Sequence, residues 1–459
     1  MSVPERQARR EPGPDGATVV TMRTAAWYGD RPFTIALPSS WDATTHWPRT
    51  PPAITDDQIA DALASPGGQP PICELARGRR RPVVVVDDLN RPTPVPRVMP
   101  VVLRHLQAAG IPAGNVTIVV ASGTHAPPSI EAIRNKVGPD AAAACRLHAH
   151  DARGSDVVSL GRTSFGTPIL VDGEVARGDL VIGIGGVYPN HTAGFGGGTK
   201  LALGVLAYRA IANLHYRHAE VGWGRDNVTS NSFRRDLDEI ARAIGLSTSV
   251  VVHLNADRDP VRIACGAPES IFADALAFSR RIYEAPPPDG ADVVIANAYP
   301  NDLSITFVRA KGLAALDHAP ATASRVAIAA LSEGVGFHGL FPFLDAPRLH
   351  RARGLLMRLT MLRHQPGDLA GKAARRVMRT IRARRASVAA PPTRHPVWIH
   401  RPTGDGPALP AHLPTFRVAS SWSDVVDAVT REQGGRRHLR AVIYPCGPLQ
   451  WLQPPPSAS

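Results

Sequence analysis

Short, nearly unbroken apolar runs recur along this chain at residues 83–86, 116–120, 180–184, 250–254, 293–296, 326–331 and 441–444. They are rich in Val, Ile, Leu and Ala and show little alternation of apolar with polar residues. That pattern predicts parallel strands covered on both faces. Helical periodicity fills many of the intervals. One helix is predicted over 98–109, with Gly110 as its C-terminal stop. The fold class expected is α/β: two α/β domains with mostly parallel sheets.

Polar and glycine-rich segments follow the runs. Run 83–86 leads into DDLNRPTP (87–94), run 116–120 into ASGTH (121–125), run 180–184 into GGVYPNH (185–191), and run 293–296 into NAYPND (297–302). Open α/β sheets bind ligands at the carboxyl ends of their strands, so these segments are where a site is expected. The stiff break APPPDG (285–290) suggests a boundary. The expected division is a disordered N-terminus over 1–20 and a first domain over 21–285. A second domain follows over 290–450, with a disordered tail over 451–459.

Composition narrows the picture. A chain of 459 residues is long enough for roughly two or three domains. Cys73, Cys145, Cys265 and Cys446 are widely spaced and form no CxxC pair, which argues against a zinc ribbon or a disulfide framework. The first residues lack the apolar stretch of a signal peptide. No apolar run approaches the ~18 residues of a spanning helix. A cytoplasmic protein without a membrane span is the expectation. The net charge of +13 is concentrated: between Arg348 and Arg401 stand 14 basic residues and one acid, Asp368. No aromatics interleave with the arginines of RRVMRTIRARR (375–385), as a base-stacking platform would require. Nucleic acid is therefore not the expected partner.

The segment HTAGFGGGTK (191–200), followed by His215, carries the richest chemistry. Glycines let backbone N–H groups crowd around a ligand. A lysine emerging there can pair with phosphate or become a covalent attachment point. It is not a Walker A loop, because Thr199 precedes Lys200 and Leu201 follows it. In DDLNRPTP the prolines fix a turn around Arg91, whose planar fork suits a carboxylate. His125 stands on a small-residue loop, a place suited to acid/base work. His215 and His218 are spaced for one helix face and are compatible with a metal. His148 and His150 read as structural.

Taken together, DDLNRPTP, ASGTH, YPNHTAGFGGGTK and IANLH (211–215), with PPICELAR (70–77) ahead of them, resemble the nickel-pincer-nucleotide-dependent lactate racemase family. The resemblance runs over about residues 24–335. It implies two α/β domains with a cofactor in the cleft between them. The cofactor would be a pyridinium mononucleotide with two sulfur-containing arms, whose sulfur, carbon and sulfur hold nickel. The resemblance places the covalent tether on Lys200, the nickel ligand on His215 and a cofactor contact on Asp88. Gly196, Gly197 and Gly198 would cradle the cofactor. Arg91 and Lys311 would handle substrate, and His125 would be an acid/base. The implied reaction is racemisation or epimerisation of a 2-hydroxy acid by reversible hydride transfer. Enzymes that make the cofactor are implied as partners.

The chain departs from the family pattern at several positions. The family's second catalytic histidine falls on Asn190, and the neighbouring His191 is the candidate replacement. The Pro-Gly after the lysine loop is reduced to Gly204. Phe307 and Val308 replace a polar pair before Lys311, which suggests a less polar or different substrate. Three other readings stay open from the sequence: one-way redox chemistry on the same cofactor, a non-catalytic anion- or nucleic-acid-binding protein using 348–401, and a zinc hydrolase built on His191, His215 and His218.

Overall fold

Four consecutive valines form the strand Pro82–Asp87, and neither of its faces meets water. It lies inside a six-stranded sheet in the order Pro260–Gly266, Leu246–Leu254, Leu180–Gly185, Pro82–Asp87, Thr117–Ala121, Arg146–Ala149. Every neighbouring pair is parallel except the edge pair Leu246–Leu254 with Pro260–Gly266. These relations come from a computed structural model. It describes residues 10–12, 17–218, 222–224, 231–340, 395–404, 406–410, 413 and 416–452.

A second six-stranded sheet is parallel throughout. Its order is Phe416–Ala419, Val397–His400, Ser324–Ile328, Val293–Asn297, Leu439–Tyr444, Trp41–Thr45. Both sheets bury apolar side chains on two faces, as the unbroken runs imply. The α/β expectation therefore holds, and each of the seven runs contributes to a strand.

Several boundaries differ from the sequence-based expectation. The helix runs over Val95–Ala108 and starts earlier than position 98, with a proline in its first turn, where no N–H is needed. The run at 326–331 leaves its sheet at Ile328, and Leu331 adopts a positive φ of 56°. Residues 18–45 do not attach to the first sheet. Trp41–Thr45 pairs with Leu439–Tyr444, and Val20, Met22, Ile35 and Leu37 pack against Val293, Ile295 and Val326. Two segments expected to be disordered contain strands. Arg10–Pro12 pairs with Thr18–Val20, and Trp451–Leu452 pairs with Glu284–Ala285 beside the proline-rich break. The densest basic stretch, 375–385, and the tail from 453 lie outside the described residues.

The four cysteines are free thiols. Among the described residues no helix is long and apolar enough to cross a membrane.

Candidate functional site

The loops that follow the strands converge on one cavity of about 410 Å³, a size suited to a small organic ligand. Asp88, Arg91, His125, His191, Gly196, Gly197, Gly198, Lys200, His215 and Lys311 all line it. Loops after strands of both sheets contribute to the wall.

The DDLNRPTP turn is held from below. Thr93 Oγ1 donates to Asp87 Oδ2 at 2.6 Å, and Lys136 Nζ sits 2.6 Å from Asp87 Oδ1. Lys136 also donates to the carbonyls of Arg91 (3.1 Å) and Thr93 (3.2 Å) and lies over the Trp27 ring. The Asn90 carbonyl accepts three hydrogen bonds, from Arg91 Nη1 (2.9 Å), Lys311 Nζ (3.1 Å) and Asn301 Nδ2 (2.5 Å). One oxygen thus gathers the two candidate substrate cations, which are 220 positions apart in sequence. Lys311 lies in a π-helical turn, Val308–Gly312, a local widening often found at functional sites. Burial, with Arg91 nearby, pushes its amine well below the usual lysine range.

Asp88 and His125 form a dyad. His125 Nδ1 lies 2.5 Å from Asp88 Oδ2, which also accepts from Asn90 Nδ2 at 2.8 Å. The carboxylate therefore accepts a hydrogen bond from Nδ1–H, which leaves the lone pair on Nε2. Burial lowers the His125 pKa, and the adjacent Asp88 opposes that shift. Burial also disfavours the Asp88 carboxylate, but His125, Arg91 and Asn90 outweigh it and hold Asp88 well below the usual carboxylate range.

The glycine loop turns sharply. Gly197 and Gly198 have φ of 80° and 56°, a region that L side chains rarely adopt. A Cβ at Gly197 would lie 2.7 Å from the Gly186 carbonyl oxygen. Lys200 follows in the short 3-10 segment Gly198–Val205. Burial, then Arg91 and Arg234, lower its amine to about 7. Lys200 forms no ion pair among the described residues.

His215 lies on the helix Tyr208–Arg217, and its Nδ1–H donates to the Ile211 carbonyl at 2.8 Å. That bond places the lone pair on Nε2, the arrangement a metal-binding imidazole needs. Burial lowers its pKa to about 4, so the ring is neutral. His218 is held by other partners. Its two nitrogens meet Ser232 Oγ (2.9 Å) and Asp236 Oδ2 (2.8 Å), and it does not line the cavity. Among the described residues no group of three or more His, Cys, Asp or Glu is placed to hold a metal ion. The zinc set His191, His215 and His218 is thereby overturned.

Asn190 serves the backbone. Its Oδ1 accepts from the N–H groups of Thr192 and Ala193, both at 3.0 Å, which closes the hairpin Pro189–Phe195. His191 packs against Trp223, with ring centroids 4.8 Å apart. His148 and His150 both meet Asp172, at 2.9 and 2.8 Å, away from the cavity, as their structural reading expects.

Comparison with known proteins agrees with the motifs. Residues 28–224 match the lactate racemase N-terminal domain. A lactate racemase of Lactiplantibacillus plantarum is 28% identical over 271 residues, which are 57% of this chain and 62% of that protein. A lactate racemase of Thermoanaerobacterium thermosaccharolyticum is 27% identical over 295 residues, 62% of this chain and 68% of the relative. Over these stretches the chain is similar to lactate racemases. The solved apoprotein of the lactate racemase from T. thermosaccharolyticum superposes with a TM-score of 0.65 at 17% identity, over 95% of this chain and all of that one. That likeness establishes the shared fold.

Two residues that the sequence did not single out hold the cavity wall. Arg234 donates to the carbonyls of Phe195 (3.0 Å) and Gly197 (3.2 Å) and stacks on Phe272. It pins the glycine loop from the helix Ser232–Ala243. Lys136 does the same for the Arg91 turn. Both read as ordinary helix-surface charges, and only their burial reveals the role. A third residue, His338, lines the cavity beside His125.

Proposed function

We propose that this protein is a racemase or epimerase of a 2-hydroxy acid that works with a lysine-tethered nickel-pincer nucleotide. The observation that carries the reading is the convergence of Lys200, His215, His125, Arg91 and Lys311 on one cavity. The residues fit such a group. Lys200 offers an amine near neutrality without an ion pair among the described residues. His215 is fixed with its lone pair on Nε2. The Ser249 hydroxyl lines the cavity, buried and without a hydrogen-bond partner. Lys200 would carry the covalent link and His215 Nε2 the nickel. Asp88 and Gly196, Gly197 and Gly198 would border the nucleotide. When bound, the cofactor supplies a hydride acceptor, and the hard chemistry is its own.

The chain's own residues bind, orient and move protons. Arg91 and Lys311 hold the substrate carboxylate, and Asn90 sets their spacing. His125 Nε2 takes the proton of the substrate hydroxyl and later returns it, while Asp88 keeps the ring in the required tautomer. His191, on the hairpin Pro189–Phe195, is our choice for the second base, because the Asn190 amide is committed to its turn. Phe307 makes an edge contact with His125, ring centroids 4.7 Å apart, and gives the substrate's side chain an apolar wall. The enzymes that build the cofactor are the implied partners. Four free cysteines accord with a reducing cytoplasm.

The Asn190 substitution also motivates a second reading, in which the same cofactor serves a one-directional redox reaction. Intact mass and elemental analysis after co-expression with the cofactor-making enzymes test the cofactor first. The expected result is a mass adduct on the Lys200 peptide with stoichiometric nickel, and loss of both in Lys200→Ala. A protein that gains neither in a host shown to make the cofactor would reject the proposal. Given a loaded protein, interconversion of the two enantiomers of one 2-hydroxy acid separates racemase from one-way chemistry.

A further inference from the structure

The segment after the strand Ser324–Ile328 crosses the loop that carries His125. His125 and His338 form an isolated antiparallel bridge, and the Gly339 N–H donates to the Thr124 carbonyl at 2.8 Å. The two imidazoles meet edge to face, with centroids 4.9 Å apart at 68°. Phe307 lies against both rings. His338 lines the same cavity wall as Arg91, Lys311 and His215.

The two rings are set in opposite tautomers. His125 Nδ1–H donates to Asp88, so its Nε2 is an acceptor. His338 Nδ1 accepts the Leu340 N–H at 3.2 Å, so its proton sits on Nε2. Burial, then the neighbouring His125, His215, Lys311 and Arg91, push His338 far below the usual imidazole range. Its ring is a neutral donor. A proton acceptor and a fixed N–H donor therefore stand side by side on the cavity wall.

We infer that His338 is a further catalytic residue, whose Nε2–H holds the substrate oxygen from which His125 removes the proton. This rests on the racemase reading above. As the O–H bond breaks, its proton passes to His125 Nε2 and the electron pair stays on oxygen. That oxygen would become the carbonyl oxygen of the 2-oxo acid as the α-hydrogen leaves with its electron pair, as hydride, to the acceptor that the bound cofactor would supply. A preorganised neutral donor stabilises the developing charge without losing its own proton. His338 is unchanged through the cycle, so it is an anion-stabilising group and not a second base.

The test uses cofactor-loaded protein with D- and L-lactate, and matches each variant to the wild type by nickel content and Lys200 adduct. His338→Phe keeps an aromatic ring but removes the donor, and His338→Gln restores an N–H. The expected result is a fall in kcat of roughly 10²–10³-fold for His338→Phe in both directions, with KM changed far less, and partial recovery in His338→Gln. An undiminished kcat in His338→Phe, or no recovery in His338→Gln, overturns the assignment. A second readout needs no turnover. Long-range ¹H–¹⁵N correlation spectra of the apoprotein, assigned by difference with His338→Gln, should show the Nε2–H tautomer, and an Nδ1–H tautomer or a charged ring near pH 7 overturns it. A loaded wild type that leaves both lactate enantiomers untouched would count against lactate as substrate, while the tautomer spectrum would still judge the donor.

Discussion

Lys200 carries its amine into a cavity lined by Arg91, with Arg234 close by behind the glycine loop, and the cost of burying another cation there falls on its proton. Its pKa of about 7 makes the neutral amine abundant at physiological pH, the state in which a lysine acts as a nucleophile. The sign for stability follows directly. Between about 7 and the ordinary lysine value the unfolded chain holds the extra proton, so this group makes folding more favourable as pH rises through that window. Labelling the apoprotein with limiting acetic anhydride across pH 5–9, with peptide mass readout, should modify Lys200 half-maximally near pH 7, well before Nα-acetyllysine added as an internal standard. A Lys200 that reacts only alongside that standard would show that its charge is compensated. Asp88 shows the opposite balance, because His125, Arg91 and Asn90 outweigh its burial and keep it ionised as the partner of His125.

Whole elements serve the site by fixing loops that follow strands. The helix Ile130–Val137 reads as amphipathic, and Lys136 would be assigned to its solvent face. Its ammonium is instead fully buried against Asp87 and two carbonyls of the Arg91 turn. Burial raises the pKa of Asp87 and lowers that of Lys136, while each partner opposes the other's shift. Lys136→Met should cost roughly 3–5 kcal/mol, because it strands a buried carboxylate. The double variant with Asp87→Asn should recover much of that. Urea unfolding of the three variants measures both effects. A single-variant loss under about 1 kcal/mol would mean the pair is dispensable. Arg234 plays the corresponding part for the glycine loop, from the helix Ser232–Ala243.

Across the whole molecule, segments far apart in sequence are tied through a few buried acceptors. The Asn90 carbonyl collects donors from Arg91, Asn301 and Lys311. The buried Asp302 carboxylate accepts from Thr24 Oγ1 and from the N–H groups of Ala25, Ala26 and Ala330. It binds the N-terminal segment to the end of the second sheet. Asp302→Ala would leave several buried donors unpaired and should destabilise by on the order of 3 kcal/mol. Denaturant unfolding reads this value, and a variant as stable as the wild type would show that water or a backbone shift replaces the carboxylate.

The sequence by itself determined seven of the sheet strands, the α/β class and the loops that bear the chemistry. Unbroken apolar runs suit only strands covered on both faces, and DDLNRPTP and HTAGFGGGTK are local patterns. It could not set aside His218, because i, i+3 spacing is blind to Asp236, the partner that turns its ring away. Nor could it place residues 18–45 on the second sheet, since strand pairing at a separation of nearly 400 residues leaves no local trace. Only the tertiary structure decided that Lys136 and Arg234 are buried supports and that His338 stands against His125. Charge, tautomer and burial belong to the neighbours a side chain meets, and the fold, not the spacing along the chain, chooses those neighbours.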